Sequence, residues 1–252
     1  MGKLRALASG VWCSEVSLRE YDVRGALVVG TAGALVWDTL SCPRNVAGYH
    51  PLIGNRALTI VYSHADWDHV WGTGGLPYRR AAIVGHRSCL ERFAEDVPET
   101  LAAMRRSEPG PWDDVELVPP TKVFDDELVV NLGGIGVSLH HLPGHTRDCC
   151  VAFVPERGLL LTGDTAETPF PVVPAGAPLE SWINRLERWE RDGRVRTVVP
   201  AHGPVGDRSI LRDNLRYLSG LRDGRPVGVP STLTSFYRST HASNLRAVGL
   251  AP

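Results

Sequence analysis

Residues 62–72 read YSHADWDHVWG and place two imidazoles, His64 and His69, beside two carboxylates, Asp66 and Asp68. Imidazole nitrogen and carboxylate oxygen are the donors that zinc, iron and manganese accept. Three more such residues follow apolar runs further along the chain: His145 in LPGHT, Asp164 in LTGD and His202 in VPAHG. Each stands beside a glycine or a proline in a loop that leaves a β-rich run. Loops at strand ends are where a rigid sheet can aim several side chains at one point. The seven residues therefore read as donors that converge on a metal centre.

Strands must carry those loops, and the sequence supplies two β-rich blocks. In the first, ALVVG (26–30), ALVWDT (34–39) and ALTIVYS (57–63) form a hairpin around the turn GTAG and then a buried strand, and AAIVG (81–85) is another. Leu, Glu, Arg and Ala between His86 and Arg106 predict two short helices interrupted at Pro98, and the Pro-rich acidic stretch 109–120 predicts a surface loop. The second block holds ELVVNL (127–132), GVSLHHL (136–142), CCVAFV (149–154) and GLLLTG (158–163), each bounded by turn residues. TPFPVVPAGAP (168–178) carries too much proline for helix or central strand and reads as an ordered loop over a pocket.

Leu179, Trp182, Ile183, Leu186 and Trp189 fall at helical spacing, so 179–193 reads as an amphipathic helix. A strand and loop follow at 195–203, then a helix over 207–221. From Arg222 onward periodicity is weak, which leaves an arm, a frayed tail or a dimer contact. Two β-rich blocks, each followed by helix, predict an α/β fold: a four-layer αββα sandwich over residues 1–221 with a C-terminal tail or arm at 222–252.

The chain has 252 residues, of which 43% are hydrophobic, enough for a large core. Its formal net charge of −1 gives no field that would draw in nucleic acid or an anionic membrane. The N-terminus lacks a long apolar stretch behind a basic start, so a cytoplasmic protein is expected. Five cysteines, Cys13, Cys42, Cys89, Cys149 and Cys150, show no C-x-x-C pair and are expected to be reduced and buried.

The order of motifs, H-x-D-x-D-H at 64–69, G-H-T at 144–146, T-G-D at 162–164 and A-H-G at 201–203, resembles the metallo-β-lactamase-fold hydrolases. That superfamily includes glyoxalase II-like thioesterases, lactonases, phosphodiesterases and the lactamases. The resemblance implies two divalent metal ions, zinc foremost. It places His64, Asp66 and His145 in site one, Asp68, His69 and His202 in site two, and Asp164 between them. Asp68 is also implied as a candidate for handling the leaving group's proton. Asp66 occupies the position that most members give to histidine; its charge and hard oxygen bring manganese or iron into range. Asp38 stands where the family commonly has an aspartate that supports the ligand loops, or is simply a strand-end turn residue. Trp67 and Trp71, flanking the donors, and Phe170 in the proline-rich loop either line a substrate pocket or pack beneath it.

The expected activity is hydrolysis of an ester, lactone, thioester or β-lactam of a small molecule by a metal-bound hydroxide. The set His64, Asp66 and His145 is also the ligand type of non-haem iron oxygenases, which makes oxygen chemistry the alternative. A nuclease ranks lower, because neither a large inserted domain nor a basic arm is visible; a phosphodiester remains a candidate substrate, and a metal-binding protein without turnover ranks last, because the ligand set is full. A homodimer is compatible with the C-terminal segment.

Overall fold

The computed structural model describes residues 2–225 and 227–250; Met1, Pro226, Ala251 and Pro252, which fall in the two segments expected above, lie outside the described residues. The first sheet has seven strands in chain order. Strands β1 (Lys3–Ala8), β2 (Val11–Ser17), β3 (Asp22–Val29) and β4 (Gly33–Trp37) run antiparallel to one another in succession, and β5 (Ala57–Val61), β6 (Ala82–His86) and β7 (Lys122–Phe124) continue parallel to β4. Parallel strands need crossovers. These are supplied by α1 (His50–Ile53), α2 (Trp67–Val70), and the pair α3 (Arg87–Ala94) and α4 (Asp96–Ser107).

The second sheet has five strands, β8 (Glu127–Asn131), β9 (Gly136–His141), β10 (Cys150–Val154), β11 (Leu159–Gly163) and β12 (Thr197–Pro200), ordered β12-β11-β10-β9-β8. Only β11 and β12 are parallel, joined through α5 (Leu179–Arg191). Helices α6 (Ser209–Arg222) and α7 (Ser235–Ala247) complete the fold.

Side-chain alternation decides what each strand buries. Val28, Leu35, Trp37 and Val61 of the first sheet meet Leu139, Ala152, Leu161 and Val199 of the second in the central core. The opposite face of the first sheet, through Leu27, Val36 and Ile60, packs on Trp71, Phe93, Val97 and Leu101. On the second sheet's outer face, Val151, Phe153 and Leu160 pack on Trp182, Leu186, Leu211 and Leu218. These three cores make the four layers expected from the two β-rich blocks. All five cysteines are buried and free.

Local differences from the sequence reading have identifiable causes. Strands β1, β2 and β7 carry no clear sequence signal, because KLRALA on the sheet edge is exposed along much of its length, VWCSEVS is broken by polar residues and KVF on the other edge is only three residues long. Two helices do occupy the segment after His86, but the break lies at Glu95, with φ −111° and ψ −94°, and not at Pro98. Pro98 sits in the first turn of α4, where its missing N–H has no intrahelical partner to lose.

The C-terminal segment contains a packed helix. Helix α7 buries Tyr237, Thr240 and Asn244 in place of an apolar stripe, which is why its periodicity is weak. Asn244 is fully buried; its Oδ1 accepts from the Val173 amide at 2.8 Å, and its Nδ2 donates to the Pro171 carbonyl at 2.8 Å and the Tyr217 hydroxyl at 3.0 Å. Among the described residues no helix is long and apolar enough to cross a membrane.

Replacing Asn244 by Ala strands the Val173 amide and the Pro171 carbonyl away from water. We expect a loss of about 2–4 kcal/mol in urea denaturation; a change below about 0.5 kcal/mol would mean that α7 is not anchored as described.

Candidate metal centre

The donors are aimed by what their backbones touch. Asp38 leaves β4 at φ +56°, an uncommon conformation for a residue with a side chain, and is fully buried. Its carboxylate accepts from the Ser63 amide at 2.7 Å, the Ser63 hydroxyl at 2.8 Å and His69 Nδ1 at 2.9 Å. Because the Ser63 hydroxyl donates to Asp38, it accepts from His64 Nδ1 at 2.9 Å. His145 Nδ1 donates to the Val172 carbonyl at 3.2 Å, and His202 Nδ1 donates to the Asp22 carbonyl at 2.8 Å. All four histidines thus use Nδ1 for support, which fixes the tautomer and turns Nε2 inward.

The inward atoms meet around Asp164. Its Oδ1 lies 3.2 Å from His69 Nε2; its Oδ2 lies 3.3 Å from His202, 3.7 Å from His145 and 3.8 Å from His64 Nε2. Asp66 Oδ2 stands 3.5 Å from His64 Nε2 and 3.2 Å from His145 Nε2; Asp68 Oδ1 stands 3.7 Å from His69 Nε2, and its Oδ2 is 3.7 Å from His202 Nε2. The groups His64/Asp66/His145, Asp68/His69/His202 and His64/His69/Asp164 each have donor atoms mutually within 4.8 Å. Among the described residues, buried His64 Nε2, His69 Nε2 and Asp164 Oδ1 have no hydrogen-bond partner. Buried polar atoms are almost always paired, and three orphans facing one point fit a cation.

The electrostatics agree with that fit. Burial opposes charge on Asp164, yet His202 and His69 hold its carboxyl well below the usual range; His64 and His145 do the same for half-buried Asp66. Burial likewise opposes charge on the rings, but Asp66 and Asp164 lift His145 to about 9, and Asp164 lifts His202 to about 10.

Asp66 has a partner that the motif did not reveal. Arg92, on α3, sets its guanidinium 2.7 Å from Asp66 Oδ1, 2.7 Å from Asp96 and 3.1 Å from the fully buried Asp148. Asp148 Oδ2 in turn accepts from the Ala65 amide at 2.8 Å. One oxygen of Asp66 is therefore held by a cation and only the other faces the histidines. The extra negative charge that replaces a neutral imidazole is countered where it arises.

Other unanticipated residues brace the loops. Trp182 of α5 donates its indole N–H to the Thr165 carbonyl at 2.9 Å, and its ring lies so close beneath Gly144 that a β-carbon there would stand 2.1 Å from it. One indole thereby supports both the His145 loop and the Asp164 loop. Gly163 has φ +52°, and a β-carbon on it would meet Ser63 at 2.9 Å, where the two sheets' loops touch. Buried Arg24 donates to the Pro200 and Gly203 carbonyls, each at 2.8 Å, and pairs with Glu15, so it clamps the His202 loop to the first sheet. The Tyr21 hydroxyl donates to Asp68 at 3.3 Å, and its ring meets that of His202 edge-on. None of these had a signal in spacing; Arg24 and Arg92 lie in stretches where a charge reads as solvated.

Of the aromatic pocket candidates, Trp67 and Trp71 lie together and Phe170 lies apart. Trp71 is fully buried against Trp67 and Trp112. Trp67, partly exposed, lines a depression of about 200 Å³ with Asp66 and Arg92. Phe170 is buried and stacks on Tyr217 on the other side of the centre, in the core beneath α6 and α7.

Replacing Arg92 by Met removes the cation shared by Asp66 and Asp148 and should cost about 3 kcal/mol in denaturant titration of the metal-free protein; an unchanged midpoint would mean the pairs are solvated. With folded-state values near 9 and 10, His145 and His202 keep their protons in the metal-free protein at neutral pH. Their stabilisation is complete below the unfolded value of about 6.5, and is lost as pH rises through about 9 to 10. Metal uptake at pH 7 should therefore release protons into an indicator dye, and release should fall away above pH about 10. Uptake at pH 7 without proton release would contradict this protonation.

The family model of the metallo-β-lactamase superfamily matches residues 23–202. Acyl-coenzyme A thioesterase MBLAC2 from Homo sapiens is 33% identical over 187 residues, which cover 65% of this chain and 63% of that protein. The match thus spans under two thirds of that relative's length. Metallo-beta-lactamase type 2 from Bacillus cereus is 26% identical over 201 residues, covering 76% of this chain and 72% of that one. Among solved structures, a metallo-beta-lactamase from Pontibacter korlensis superposes with a TM-score of 0.67 at 21% identity, covering 87% of this chain and 99% of that one. With the motif order, the two-sheet fold and the family match in agreement, this chain belongs to the metallo-β-lactamase superfamily.

Proposed function

We propose that the protein is a metal-dependent hydrolase of a small molecule with an ester-like bond, with a thioester placed first among ester, lactone and β-lactam. The observation that carries the reading is the convergence of four Nε2 atoms and three aspartates on one point, with buried donors left unpaired. The identities to an acyl-coenzyme A thioesterase and a metallo-β-lactamase support the reaction class and the choice of thioester.

In this reading His64, Asp66 and His145 would hold one divalent ion and Asp68, His69 and His202 a second, with Asp164 within reach of the histidines of both sets. Zinc is the first expectation; Asp66 keeps manganese and iron in range. Such a pair, when bound, lowers the pKa of water to about 7 and polarises a carbonyl oxygen. The chain's own residues do the rest. Asp38, Ser63 and the carbonyls of Asp22 and Val172 hold the imidazoles with Nε2 turned inward. Asp68, next to the Tyr21 hydroxyl, is placed to pass a proton to the leaving group. Trp67 and Arg92, at the half-exposed rim by Asp66, are placed to meet the substrate.

Metal analysis of the purified protein, combined with thioester, lactone, ester and β-lactam substrates under air and under nitrogen, tests the reading. Two ions per chain and oxygen-independent thioester cleavage are expected. A single iron with turnover that requires oxygen would overturn it in favour of oxygenase chemistry. Asp164→Ala should lose both metal and activity; full activity in that variant would show the centre to be elsewhere.

A further inference from the structure

Three residues after Asp164, outside every motif, Glu167 places a second carboxylate at the same point. It is 2% exposed, and its Oε1 has no hydrogen-bond partner among the described residues. Donor atoms of Glu167, His145 and Asp164 lie mutually within 4.8 Å. The side chain's direction is fixed from behind. Fully buried Asn214, on α6, accepts from the Glu167 amide at 3.0 Å, donates to the Glu167 carbonyl at 2.7 Å, and is itself tied to the Ile210 carbonyl at 2.8 Å.

A structural buried carboxylate normally has a donor or a cation beside it. Here the charged neighbours acting on Glu167 most strongly are Asp164, His202, His145 and His69, and among the described residues no Arg or Lys nitrogen lies within ion-pair distance of it. The Tyr237 hydroxyl, buried nearby on α7, makes no hydrogen bond to it either. An unpaired oxygen of Glu167 and donor atoms of His145 and Asp164 thus share one point, where a bound cation would partner all three.

We propose that Glu167 is an eighth ligand of the metal centre, adding a carboxylate oxygen to the ion held by His64, Asp66, His145 and Asp164. The assignment rests on the metallohydrolase reading above. It gives that site two imidazoles and three carboxylates, a set of hard oxygens that suits manganese or ferrous iron better than the set without Glu167. It also explains why α6 reserves a buried asparagine for the backbone of a residue outside the motifs.

The test compares the full-length wild type with Glu167→Gln, which keeps shape and removes charge. Both are stripped with a chelator and titrated with manganese(II), followed by electron paramagnetic resonance, and with zinc as a second probe. Glu167→Gln should bind manganese at least about tenfold more weakly at one of two sites, with an altered bound-manganese spectrum and a smaller loss for zinc. The stripped variant should fold and melt close to stripped wild type, because Glu167 Oε1 has no hydrogen-bond partner among the described residues. Equal affinity and an identical spectrum would overturn the assignment, as would a stripped variant that melts lower or fails to fold, since either makes Glu167 a structural residue. A wild type that takes up neither metal overturns this proposal together with the hydrolase reading, whereas failure of Glu167→Gln alone leaves that reading standing.

Discussion

The arrangement depends on the burial of several carboxylates close together. Asp66, Asp68, Asp164 and Glu167 gather at one edge of the sandwich, with Asp38 and Asp148 fully buried around them. Like charges at such distances repel strongly where water is excluded. All but Glu167 have a specific counterweight: imidazoles around Asp164, the Tyr21 hydroxyl on Asp68, Arg92 beside Asp66 and Asp148, Ser63 and His69 on Asp38. Among the unpaired buried atoms, His64 Nε2, His69 Nε2, Asp164 Oδ1 and Glu167 Oε1 belong to this cluster. Stability is given up at the centre and recovered in the three apolar cores that surround it.

That balance explains why the donors lie on loops but behave as parts of the sheets. The centre sits where the two sheets' loops touch, at Ser63 and Gly163, so that neither sheet alone holds a complete set. Arg24 reaches from β3 to the His202 loop, Asp148 from the His145 loop to the Ala65 amide, and Trp182 lies beneath the loops of His145 and Asp164. Each contact links strands far apart in sequence. Donor positions are consequently set by tertiary packing more than by local turn geometry.

Much of this was legible in the chain itself. Apolar runs and Gly or Pro boundaries located nine of the strands, and the four donor loops followed from residue type and position alone. What stayed hidden depends on contacts without a local pattern. Lys3–Ala8 forms an edge strand with little burial to shape its composition. Helix α7 is anchored by Asn244, whose polarity erases the periodic signal. Arg24, Arg92 and Glu167 look like surface charges in sequence and acquire meaning only when the fold buries them. Asp66, an anomaly in the motif, becomes intelligible through Arg92, a residue in a different element.

The Val172 carbonyl orients His145, while the neighbouring Val173 amide and Pro171 carbonyl are gripped by Asn244. A ligand ring is therefore steadied by a helix that leaves the ribosome after all seven motif donors. During synthesis the first sheet, the second sheet and six helices can assemble while this support is still missing. The aim of one donor ring thus depends on a contact that the chain can make only after every motif donor has been synthesised.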